Sequence, residues 1–99
     1  MTKKAEKMVS AYTEKFEIHV RYFETHTEMY KAEEKLDDKY NFTKDLLFDI
    51  KEDFVNMISG MLRFDMLSEK DFYELYDKAY SLYDKVLNNV IDAYIEAKY

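Results

Sequence analysis

Residues 72–98, FYELYDKAYSLYDKVLNNVIDAYIEAK, decide the fold. Within them Phe72, Tyr76, Ala79, Tyr83, Val86, Val90, Ala93 and Ala97 recur at steps of three or four without a slip. An α-helix turns once per 3.6 residues, so that line is one face of a single helix; a strand, which alternates every second residue, would scatter it over both faces. Ala79, Ala93 and Ala97 set small side chains among large ones, as interdigitating layers of a bundle require. Just upstream, Ser68 is followed three residues later by Asp71, a helix-start pattern in which the hydroxyl takes a free backbone N–H. The spacing predicts a helix over residues 69–98.

The same periodicity runs through the rest of the chain. Val9, Tyr12, Phe16, His19, Phe23, His26 and Tyr30 form one seam, and Ile18, Tyr22, Thr25, Met29, Ala32 and Leu36 form a second line beside it. Two adjacent lines predict a first helix that touches two neighbours, over residues 2–39. The pattern stumbles at Asp37-Asp38-Lys39-Tyr40-Asn41, where two acids would oppose the dipole of a helix C-terminus and Asn41 or Thr43 could cap the next helix. A second helix is expected over residues 43–65, with Leu47, Ile50, Phe54, Met57, Met61 and Phe64 inward. Being the most apolar segment, it is expected at the centre of the bundle. Its Gly60 would cost about 1 kcal/mol relative to Ala, so a close approach of another helix, or a kink, is expected there. Three long helices joined by short turns fold up and down, which predicts an all-α, antiparallel three-helix bundle of coiled-coil-like helices.

Composition supports this reading and excludes others. Pro is absent, Gly occurs once and 36% of residues are charged, which favours unbroken helix. Aromatic residues at 17% give the chain too much to bury for a disordered tail. Ninety-nine residues imply one small domain, and a chain of that size gains by oligomerising, so a homodimer is expected. A longest helix left partly uncovered by its neighbours points the same way. Cys is absent, which excludes disulfides and thiolate metal sites. The lysines at 3, 4 and 7 are not followed by an apolar run, and no 18-residue apolar stretch exists. Neither a signal peptide nor a membrane span is therefore expected, and the location expected is cytoplasmic.

The net charge of −6 is uneven: residues 1–23 carry +2, residues 24–53 carry −5 and residues 54–99 carry −3. Affinity for bare nucleic acid comes from clustered Lys and Arg, so direct nucleic-acid binding is not expected. A basic protein surface is the natural partner of the acidic middle.

Four sets of residues could carry chemistry. His19 and His26 lie seven apart, about 10 Å along one helix face, whereas helical metal pairs use spacings of three or four, so packing is the plainer role. Asp45, Asp49, Glu52 and Asp53 form a stripe opposite the apolar seam of the second helix, which with Glu33, Glu34, Asp37 and Asp38 is either a solubilising face or a docking face for a basic surface. Four serines lack a Gly-rich elbow, and one glycine cannot build a phosphate loop, so neither an enzyme nor a cofactor is expected. In the third helix Tyr73, Tyr80, Leu87 and Tyr94 run one position off the core seam. Tyrosines at such a boundary serve either as wide-bundle core or as contact anchors, because Tyr buries a large area and keeps a hydroxyl for a partner. Taken together, the residues lead to a non-enzymatic protein-binding module. Small acidic Cys-free chains of this type include phage or mobile-element inhibitors of host nucleases, anti-CRISPR-like proteins and DNA mimics; a structural, assembly or immunity-type helical protein is the alternative.

Overall fold

The computed structural model describes residues 2–99, and among them all regular structure is helical: α1 (Lys3–Ala32), α2 (Leu36–Arg63) and α3 (Glu69–Lys98). The helices pack up and down into a rod of 51 × 18 × 16 Å, the three-helix bundle that the periodicity predicts. α3 packs more extensively against α1 and α2 than those two pack against each other, so α2 is not central and the α1–α2 side is the open one.

Each helix starts and stops for a local reason. The Thr2 hydroxyl accepts the Ala5 N–H at 3.2 Å, and the Ser68 hydroxyl accepts the Asp71 N–H at 3.1 Å, so the N-termini of α1 and α3 carry side-chain caps. Both corners are built alike. Glu34 (φ 58°) and Asp65 (φ 56°) take the left-handed conformation just past a helix end. There Lys35 N–H donates to Tyr30 O and Met66 N–H to Met61 O, both at 2.8 Å, which satisfies carbonyls that the ending helices leave free.

The first break therefore differs from the expected one. α1 ends at Ala32 rather than residue 39, and α2 begins at Leu36 rather than residue 43. Asp37 and Asp38 belong to the first turn of α2, where negative charge is favoured by the dipole instead of opposing it. Asn41 and Thr43 are interior to α2; Thr43 is buried and its hydroxyl donates to Lys39 O at 2.8 Å. α2 ends at Arg63, two residues before the expected limit, and α3 has the expected bounds.

The core is filled by Phe16, Phe23, Leu47, Ile58, Leu75 and Val90, all fully buried. On α1 the first seam is inward together with Ala5 and Val20; Ile18, Tyr22 and Met29 of the second line are about half exposed and face out of the bundle, while its last member, Leu36, is buried in the first turn of α2. On α2 the buried line is Leu36, Thr43, Leu47, Lys51, Phe54 and Ile58, while the expected seam residues Met57 and Phe64 are exposed. On α3 Leu75 takes the buried place beside Ala79, and Tyr76 is exposed at the rim. A Cβ built at Gly60 meets nothing within 4 Å and α2 runs unbroken through it, so this glycine neither admits a neighbour nor breaks the helix.

Candidate interaction surface

Three of the four acids of the expected stripe stand free on α2. Asp45, Asp49 and Asp53 are exposed on the outward side of α2, each about 6 Å further along the axis, and none is within ion-pair reach of a Lys or Arg among the described residues. Asp38 is exposed on the same side of α2, in its first turn. Glu52 differs from Asp45, Asp49 and Asp53: it is half-buried and pairs with Lys51 at 2.9 Å. Glu33 and Glu34 sit at the α1–α2 corner, where Glu33 pairs with Lys35 at 3.5 Å.

Asp37 is engaged within the bundle. It accepts the Tyr94 hydroxyl and the Lys98 ammonium, the latter at 3.1 and 3.3 Å, and Lys98 also donates to the Tyr94 oxygen at 2.8 Å. These bonds, the Tyr94 hydroxyl first and Lys98 second, hold the Asp37 carboxyl below its ordinary range. The same contacts, Tyr94 first and Asp37 second, raise the Lys98 ammonium. Tyr94 stacks on Tyr40 at 4.0 Å, so this clasp ties the start of α2 to the last turns of α3.

The boundary tyrosines therefore do different work. Tyr73 is exposed with its ring edge-on to Phe72, Tyr80 is half-buried and packs against Tyr76 at 4.8 Å, and Tyr94 belongs to the clasp. Tyr73 and Tyr94 are about 31 Å apart along α3, near opposite ends of the rod.

Periodicity alone does not single out Lys51. Its side chain is buried, with the ammonium 4.3 Å from the Phe48 ring centroid, 4.8 Å from Tyr80 and 4.9 Å from Tyr83. The signal is nonetheless present: 47, 51, 54 and 58 keep the step of four, three and four, with a lysine in the second place. The Tyr12 hydroxyl donates to Ala79 O at 2.9 Å, and burial raises its pKa, with Tyr83 and Tyr80 adding to the effect.

The open α1–α2 side carries a groove of about 700 Å³ with a floor of Met8, Ala11, Ile50, Phe54 and Met57 and a rim of Lys4, Lys7 and Lys15. Asp53 stands at its edge. His19 and His26 are half-buried further along α1, and the His26 ring stacks on Tyr22 at 4.1 Å. Among the described residues no three His, Asp or Glu side chains are gathered as a metal site, and no helix is long and apolar enough to cross a membrane. Comparison with family models, with curated proteins and with solved structures finds no match to this chain.

Proposed function

We propose that this protein is a non-enzymatic binding module that presents the outward side of α2 to a basic protein surface, of the kind that otherwise holds nucleic acid, and so inhibits or regulates its partner. The observation that carries this reading is the row Asp45, Asp49 and Asp53: exposed, unpaired, regularly spaced and fixed on a helix. Fixed charges on a rigid element steer a partner of opposite sign and select its orientation. A nuclease of a host defence system, met by a phage or mobile-element product, is one partner of this chemistry.

The test is a triple charge reversal, D45K/D49K/D53K, compared with the parent in affinity capture from a bacterial lysate at moderate salt. The parent is expected to retain a basic protein that added nucleic acid displaces, and the variant to lose it with an unchanged melting temperature. Equal capture by both proteins overturns the reading.

A further inference from the structure

We propose that two copies of this chain associate through α1, antiparallel, about a two-fold axis that passes between Phe16 and Glu17. The outward line of α1 is itself a heptad seam: Ala11, Ile18 and Thr25 alternate with Met8, Lys15, Tyr22 and Met29 at steps of three and four. Ile18 is 60% exposed, Tyr22 55% and Met29 46%, so a seam of coiled-coil spacing lies open along about 32 Å of helix.

The charges beside this seam identify the occupant. Lys7, Glu14, Arg21 and Glu28 run along one flank at intervals of seven, all exposed and none in an ion pair among the described residues. Antiparallel pairing about the stated axis sets Lys7 beside Glu28 of the second copy and Glu14 beside Arg21 of the second copy, and symmetry repeats both pairs. A slip of one heptad sets Lys7 beside Arg21 and Glu14 beside Glu14, or Glu14 beside Glu28 and Arg21 beside Arg21. Every flank contact is then between like charges. A parallel pairing sets this flank against Tyr12, His19 and His26 of the second copy, where no opposite charge meets the two basic residues. Of these arrangements, one alone pairs opposite charges along the whole flank.

The seam agrees with that register. It brings Tyr22 of the second copy opposite Ala11, the small residue in the floor of the α1–α2 groove, and Thr25 opposite Met8. A large ring facing a small residue is the complementarity that a packed layer needs. Lys15 falls opposite Ile18, where its methylene stem covers the apolar side chain and its ammonium reaches water. Asp45 and Asp49 lie outside the groove lining, so this contact leaves that part of the acidic face of α2 free.

Sedimentation or light scattering of the parent protein is expected to give twice the chain mass of 12.1 kDa. K7E and E28K are each expected to raise the dimer dissociation constant roughly tenfold, since each reverses two symmetric pairs, and the double variant K7E/E28K to restore it. M8C/T25C, in a chain with no other cysteine, is expected to form a disulfide-linked dimer; the two positions are about 25 Å apart within one helix and cannot close on each other. A parent that is monomeric at every concentration, or a double variant no better than the single ones, overturns the proposal.

Discussion

Replacing Lys51 by Met asks whether a buried ammonium stabilises this bundle or merely survives in it. Met keeps an unbranched side chain of similar length and removes the charge. The ammonium faces three ring centroids at 4.3 to 4.9 Å, and a cation over a ring contributes about 0.5–1 kcal/mol when exposed and more when desolvated. Three rings over a desolvated ammonium, which also pairs with Glu52 at 2.9 Å, are taken to give about 2 kcal/mol. For a domain of this size 1 kcal/mol moves the melting temperature by about 4–8 °C, so K51M is expected to melt about 10 °C below the parent. K51A also empties the space of the side-chain stem, roughly three methylene-sized groups at about 0.8 kcal/mol each, for a total of about 4 kcal/mol. Urea and thermal unfolding followed by circular dichroism measure both variants. A K51M protein at least as stable as the parent refutes the reasoning, because desolvation of the ammonium would then exceed what the rings return.

Two further outcomes are expected. G60A should stabilise the protein by about 0.5–1 kcal/mol, since a Cβ there meets nothing and Ala is the better helix former; urea unfolding reads the change. The Asp37 clasp should show in acid: its folded-state pKa lies below the ordinary 3.8, so the stability it contributes is present above that value and is lost as the pH falls through the lowered pKa. D37N should flatten that part of the acid unfolding profile, and an unchanged profile would show that the clasp contributes nothing.

The fold class and the bounds of α3 were legible in the sequence because an apolar line without a slip and a helix-start signal at Ser68 agreed, although Leu75 rather than Tyr76 of that line is the buried side chain. The first corner was not, because the left-handed position that usually advertises itself by Gly is occupied by Glu34, and because two acids read as a helix end are equally a helix beginning. The phase of α2 was lost for a different reason. Apolar side chains surround much of that helix, so Leu47, Ile50, Phe54 and Leu47, Lys51, Phe54 both keep a helical step, and the phase with the lysine is the buried one. Of the candidate site, the exposure of Asp45, Asp49 and Asp53 followed from their place opposite the seam. The capture of Asp37 and Tyr94 in a clasp depends on where α3 ends against α2, which no local pattern encodes.

The short corners at Glu34 and Asp65 have a consequence for association. Connections of a few residues, each closed by its own backbone hydrogen bonds, leave the helices little freedom to shift before a partner arrives. A surface organised in advance loses little conformational entropy when it is covered, so encounter and orientation, rather than refolding, would set the rate of complex formation.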